Sequence, residues 1–287
     1  MYEGIIKRRR QWRRLRPTVA VVVPTSNSSK TLENCLRSVR AQTYSELELV
    51  VVDNFSTDNT RRIAGEFGAR ILDGGNPAFA RNVGVRGSIS DYTFFVDSDE
   101  ILDKDLVNEC VKLCEENKSS FVRIPIFFIG GSFFGNSSAF WKNELSAVDR
   151  EMRRDSASDT VTRFLKRKHV AAAGFFDERL NIGEDVRFKQ TLASMGLIGV
   201  RSKSCLYHLE PSHLRDFVRK NLGYSEFMFS DHRPSEESLT REILRMAIRT
   251  LWKSKIGFYR QPLLLVGCSL LLGVKGFLLL IARVTTL

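Results

Sequence analysis

Residues 92–100 read YTFFVDSDE. Tyr92 to Val96 is an aromatic and β-branched run, which predicts a buried strand. It ends on Asp97-Ser98-Asp99, two carboxylates one residue apart. Working outward, the same grammar repeats. Val19 to Val23 predicts a strand that runs into Pro24-Thr25-Ser26-Asn27. Leu47 to Val52 predicts another, followed by Asp53-Asn54, and Ala69 to Leu72 a third, followed by Asp73-Gly74-Gly75-Asn76. Between these runs the period becomes helical. Leu32, Cys35, Leu36 and Val39 make one apolar face, with Ser28 or Ser29 as the expected cap. A helix from about Asp58 to Phe67 is expected to be capped by Ser56 or Thr57 and closed by Gly68. Asn76-Pro77 opens a further helix with proline at its first position. Asp103 is the expected cap of one carrying Leu106, Val107, Cys110, Val111 and Cys114 on one face, and Phe121 to Phe128 is again strand-like. Alternating strands and helices predict an α/β fold, a mostly parallel sheet flanked by helices. Ligands of such sheets sit beyond the carboxyl ends of the strands. The four polar sets should therefore meet at one edge.

Later segments are less regular. Residues 129–160 begin with Gly130, Gly131 and Gly135 and are read as loops that close over a ligand. Strand and helix character then returns, with strands at Thr162–Lys168 and Ile198–His208 around a helix at Glu184–Met195. From Leu239 the side chains Leu239, Ile243, Met246 and Thr250 share one helical face, and Arg241, Arg245, Arg249 and Lys253 share another. That is a basic amphipathic helix, suited to a membrane surface or to packing with its charged face in water. Residues 262–282 contain 13 Leu, Ile, Val or Phe residues. These favour insertion by roughly 4 to 8 kcal/mol, and Lys275 opposes it by about 3 kcal/mol. A span, a re-entrant hairpin, an interfacial helix and a buried helix all fit. Four segments follow: 1–17 basic, 18–232 the main α/β domain (18–128 and 129–232), 233–260 amphipathic, and 261–287 apolar and membrane-associated.

Charge and composition narrow the class. The chain of 287 residues has a formal charge of +11, and seven basic residues lie between Lys7 and Arg16. Such an end attracts polyanions or stands as a solvated tail. With 43% apolar residues the chain is globular rather than disordered. No aromatic-basic motif of a nucleic-acid reader is present, so nucleic acid is not an expected partner. Five cysteines without a CxxC pair point to buried thiols and a reducing compartment. No signal peptide core precedes the domain. The basic residues ahead of 262–282 place the domain at the cytoplasmic face of the cell membrane.

Several residues carry candidate chemistry. Asp97 and Asp99 offer hard oxygen ligands for Mg²⁺ or Mn²⁺, or cap a turn. Asp185 in Gly183-Glu184-Asp185 is either a helix cap or a carboxylate held ionised by the helix dipole, fit to act as general base. His208 ends a strand, where it serves as a further metal ligand or as an ordinary core residue. Asp53 can accept from a base N–H or cap an Asx turn. Arg81 can meet a diphosphate or base, or stand as a solvated helix charge.

Taken in order, VVVPTSN (21–27), LRSVRAQTY (36–44), LELVVVDNFSTDNT (47–60), ARNVGVRGS (80–88) and YTFFVDSDE (92–100) strongly resemble family-two glycosyltransferases of the GT-A fold. GFFDERLNIGED (174–185) resembles the same family's second signature. The resemblance implies a Rossmann-like GT-A domain and an inverting transfer from a nucleotide-diphosphate sugar. Pro24, Thr25, Asn27, Asp53, Arg81, Asp97 and Ser98 would bind that donor. Asp97, Asp99 and His208 would serve a divalent metal (manganese or magnesium). Asp185 would be the base and Glu184 would position the acceptor, a glycan or lipid-linked molecule met at membrane lipid. A polyprenyl-phosphate sugar synthase and a non-catalytic nucleotide-sugar-binding scaffold are the alternatives. The sequence departs from the family at Ser26, where an aromatic is common, and at Phe55, where glycine is frequent.

Overall fold

The computed structural model describes residues 16–117, 119–151, 162–180, 183–218, 266–271 and 273–274, with backbone alone at 144–151. The described residues fall into two compact units. One is drawn from Met1–Pro125 and Val161–Cys205, the other from Ile126–Thr160 and Leu206–Leu287.

The first unit carries β1 (Val19–Thr25), α1 (Leu32–Arg40), β2 (Leu47–Asp53), α2 (Thr60–Glu66), β3 (Arg70–Asp73), α3 (Pro77–Arg86), β4 (Tyr92–Phe95), β5 (Glu100–Leu102), α4 (Leu106–Glu116) and β6 (Phe121–Arg123). The second unit supplies β7 (Ile126–Ile129) and α5 (Phe133–Glu151). The chain then returns to the first unit with β8 (Thr162–Lys166), α6 (Arg167–Ala172), α7 (Glu184–Ser194) and β9 (Gly199–Arg201), before β10 (Leu206–Leu209) in the second.

Seven strands of the first unit form one sheet in the order β3-β2-β1-β4-β8-β6-β9. Strands β3, β2, β1 and β4 run parallel, as the alternation of elements requires. Strand β8 enters antiparallel to both β4 and β6. Val19 to Val23 are completely buried, as expected of a central parallel strand covered on both faces. The core beneath α3 and α7 joins Val22, Val52, Ala80, Phe95, Phe176 and Phe188. Gly84 lets α3 lie directly on β1, because a Cβ there would overlap Val22.

Several local expectations change. Helix α1 begins after Thr31 and α2 after Asn59, neither with a side-chain cap. Ser28, Ser56 and Thr57 instead tie loops together. Asp105 rather than Asp103 precedes α4; the Asp103 carboxylate accepts from the Cys205 amide at 2.8 Å. Asn76 does cap α3, accepting from Phe79 N at 2.9 Å, with Pro77 at the first turn. Gly68 closes α2 with φ +63°. The run from Phe121 to Phe128 is two strands, broken at Ile124-Pro125, where proline cannot donate to a ladder. Ile198–His208 likewise divides into β9 and β10, and Thr162–Lys168 ends at Lys166, where α6 begins. The region read as closing loops contains the helix α5, Phe133–Glu151.

In the second unit β7 and β10 pair in parallel, with Phe128 opposite His208. The amphipathic segment 233–260 lies outside the described residues. Of the apolar stretch, residues 266–271 and 273–274 are helical. Among the described residues no helix is long and apolar enough to cross a membrane.

Candidate active site

The register of the sheet sets the site. Thr25 lies opposite Asp53, and Asp53 opposite Asp73, so three polar side chains end neighbouring strands at one level. Pro24 sits beside Val52, past the end of the β1–β4 ladder, where its missing N–H leaves no bond unmade. Asp53 is fully buried. Its Oδ1 accepts from Thr25 Oγ1 at 3.0 Å and Ser56 Oγ at 2.5 Å, and its Oδ2 accepts from Ser56 N at 3.0 Å. Arg61 reaches Oδ2 at 3.3 Å while binding Asp73 at 2.7 Å. Asp53 therefore braces the turn that follows β2, holding the amide and hydroxyl of the residue three positions on. Asn27, at φ +48°, braces the facing loop: its amide donates to Ser56 Oγ at 2.8 Å, and its Oδ1 accepts from Thr57 N at 3.0 Å.

At the end of β4 the chain turns through Asp97, Ser98 and Asp99. Ser98 Oγ meets Ser28 Oγ at 2.9 Å, and Cys35 Sγ meets the Asp97 carbonyl at 3.5 Å. Burial pushes the Cys35 thiol well up, with the carboxylates of Glu100, Asp99 and Asp97 adding to the shift. The Asp97 carboxylate lies between two arginines. Arg81 Nη2 stands 3.1 Å from Oδ1, and Arg163 Nη1 3.1 Å from Oδ2. Arg163 also binds Glu100 at 2.8 Å, and Glu100 accepts from the Asp97 amide at 2.8 Å. Burial raises the Glu100 carboxyl, and Arg163 pulls it back.

Arg81 joins this cluster to the second acidic motif. Its other terminal nitrogen binds Glu184, the first residue of α7. Burial raises the Glu184 carboxyl, against the pull of Arg81. Gly183 starts the helix in the left-handed region, φ +82°, which only glycine adopts without strain. Asp185 follows in the first turn, half-buried, its Oδ1 accepting from Val186 N at 2.7 Å. The helix dipole favours a negative charge there. Phe176 holds this helix in place: it stacks on Phe188 at 4.1 Å, packs edge-on to Phe95, and lies under the Arg81 guanidinium.

Asp97, Glu184 and Arg81 thus meet in one cluster. Glu100, the last residue of the Asp97-Ser98-Asp99-Glu100 set, and Arg163, which no motif marks, complete the cluster. The available signal was an arginine between Thr162 and Phe164 in a strand, since an arginine in a strand buried on both faces needs a carboxylate partner. His208 belongs to the second unit, where its ring lies 5.4 Å from Phe128 and its Nδ1 3.6 Å from the buried Glu210.

Among the described residues, no group of three or more His, Cys, Asp or Glu could hold a metal ion by itself. A magnesium-like ion takes one or two carboxylates and completes its shell with water and substrate phosphates. Asp99, half-buried in the turn after β4, fits that need as one carboxylate. Asp97 spends both oxygens on guanidinium groups.

Comparison with known proteins bears on family and fold. The family model described as glycosyl transferase family 2 matches residues 20–175. A poly(ribitol-phosphate) β-N-acetylglucosaminyltransferase, TarS of Staphylococcus aureus strain Mu50, is 30% identical over 122 residues, 39% of this chain and 21% of the relative. Glycosyltransferase GlyG of Streptococcus pneumoniae is 31% identical over 112 residues, 36% of this chain and 37% of that one. The chain therefore spans well under half the length of these two relatives. Among solved structures, S. aureus TarS 1–349 in complex with UDP-GlcNAc superposes with a TM-score of 0.53 at 18% identity, covering 90% of this chain and 81% of that one. Glucosyl-3-phosphoglycerate synthase from Mycobacterium tuberculosis, in complex with Mn²⁺, UDP and phosphoglyceric acid, gives 0.52 at 18% identity over 77% and 80%. At that identity the likeness is one of fold, the GT-A fold.

Proposed function

The chain belongs to glycosyl transferase family 2, and from that premise we propose that it moves a sugar from a nucleoside-diphosphate sugar to an acceptor hydroxyl with inversion. One observation carries the reading. A single guanidinium, Arg81, bridges the Asp97 motif and the Glu184-Asp185 motif, which brings acidic groups far apart in sequence to one place.

In this mechanism Thr25, Asn27, Asp53 and Ser98 frame the nucleoside at the carboxyl edge, with Pro24 shaping the strand end. Arg81 and Arg163 supply positive charge beside the diphosphate. Asp185 takes the proton from the acceptor hydroxyl as that oxygen attacks the anomeric carbon. The nucleoside diphosphate leaves from the opposite face. Glu184, anchored by Arg81, orients the acceptor. A divalent metal, manganese or magnesium, would be held by Asp99 with Asp97 beside it, and would offset charge on the leaving diphosphate. The hard oxygens of Asp99 and the substrate phosphates support that assignment.

A glycan or lipid-linked acceptor at the cytoplasmic face of the cell membrane is the proposed setting. Its support is the basic segment before residue 262 and the apolar stretch after it. The relatives' names make UDP-GlcNAc the first donor to try. The test incubates the protein with UDP-, GDP- and dTDP-sugars and Mn²⁺, following nucleotide release and donor-induced melting shifts. Folded protein that answers no donor overturns the proposal. Activity retained in Asp185→Asn would instead favour a phosphate acceptor, which needs no base.

A further inference from the structure

We propose that Phe55 is the surface on which the donor's nucleobase stacks, and so a determinant of donor affinity. This rests on the reading of the site as a nucleotide-sugar site.

Phe55 adopts φ +47°. A bulky side chain in the left-handed region is unfavourable, and such strain persists where the surroundings impose it, often at binding sites. Here the surroundings are explicit. Asp53 holds Ser56 through both its amide and its hydroxyl, and the Asn54 amide donates to the Thr25 carbonyl at 2.8 Å. Phe55 is the apex of a turn pinned on both sides. The facing loop is cross-tied to it through Asn27, Ser56 and Thr57.

What the turn presents is a benzyl ring 69% exposed to water. Folding gains little from a ring so exposed, and glycine would satisfy the turn without strain. The other aromatic in the left-handed region, Phe175, at φ +67°, has an internal reason. It packs on the buried core, and the Arg86 guanidinium lies 4.5 Å from its centroid. Phe55 instead lies two residues beyond Asp53, at the strand edge where Thr25, Asp53 and Asp73 end at one level. On the opposite loop Ser26 is exposed and offers no ring. An aromatic face next to a hydrogen-bonding edge is the chemistry that recognises a planar heterocycle.

The experiment measures binding of UDP, GDP and ribose 5-diphosphate, which has no base, to wild type, Phe55→Gly and Phe55→Trp by calorimetry, with melting temperatures alongside. Phe55→Gly removes both ring and strain, so it should melt no lower than wild type. Its Kd for UDP should rise roughly tenfold, its Kd for ribose 5-diphosphate should stay unchanged, and Phe55→Trp should restore UDP binding. Unchanged UDP affinity in Phe55→Gly, or equal loss for ribose 5-diphosphate, overturns the assignment while leaving the enzyme reading intact. Wild-type protein that binds no nucleoside diphosphate overturns the enzyme reading and this inference with it.

Discussion

Arg163 Nη1 stands 3.1 Å from Asp97 Oδ2, although Asp97 follows β4 and Arg163 lies in β8, with the whole α5 region between them in sequence. Arg163 is buried and also binds Glu100. Removing it leaves carboxylates in an apolar setting with one guanidinium fewer, which costs about 3 to 5 kcal/mol. Arg163→Met should lower the urea midpoint accordingly. Arg163→Lys should recover part of the loss, because a point charge cannot serve both carboxylates in a fork. A midpoint unchanged in Arg163→Met would show the contact to be idle.

Asp185 can lose its charge without losing its place. Asp185→Asn keeps an oxygen for the Val186 amide. Turnover should fall by about two to four orders of magnitude, the range for a general base, while UDP-sugar Kd and melting temperature hold. A parallel fall in affinity would mean that the residue binds rather than reacts.

Gly84 sets how closely α3 lies on β1. Gly84→Ala forces a methyl against Val22 and should destabilise by about 1 to 3 kcal/mol. Because α3 also carries Arg81, donor affinity should fall too. Pairing it with Val22→Ala, which opens the space, should restore affinity before it restores stability.

Glu109 of α4 accepts from the Lys203 amide at 2.7 Å and the Ser204 amide at 2.9 Å. Burial pushes its carboxyl up, but these hydrogen bonds outweigh it and leave the group below the ordinary glutamate value. A depressed folded value stabilises above the unfolded pKa and loses that contribution as pH falls through the folded one. Glu109→Gln should therefore be less stable than wild type at pH 7 by about 1 kcal/mol. The gap should close as pH drops below about 4.5, read as urea midpoints across that range.

Much of the first unit is legible in the sequence because strands buried on both faces must be apolar runs, and helices between them must show period. Asn76-Pro77 and Gly68 are legible for the same kind of reason: each residue suits one backbone position. Other features depend on distant partners. Phe121 to Phe128 looks continuous until Pro125 is given its proper weight. Helix α5 contains Gly135, Asn136, Ser137 and Ser138, all poor helix formers, so propensity reads it as loop. Its buried serines are satisfied locally and by a neighbour: Ser137 Oγ bonds the Phe133 carbonyl at 2.8 Å and Ser138 Oγ bonds Glu210 at 2.5 Å. The site divides in the same way. Asp97 follows a readable strand and Asp185 opens a readable helix, whereas the contacts of Arg163 with Asp97 and Glu100 exist only once β8 lies beside β4.

All five cysteines are buried thiols outside any disulfide. A single cysteine introduced in place of Ile89, which is 95% exposed just ahead of β4, would be the one thiol open to a maleimide dye. It would sit at the opposite end of that strand from Asp97. A fluorescent label remote from the candidate site can thus be attached without deleting any native sulfur.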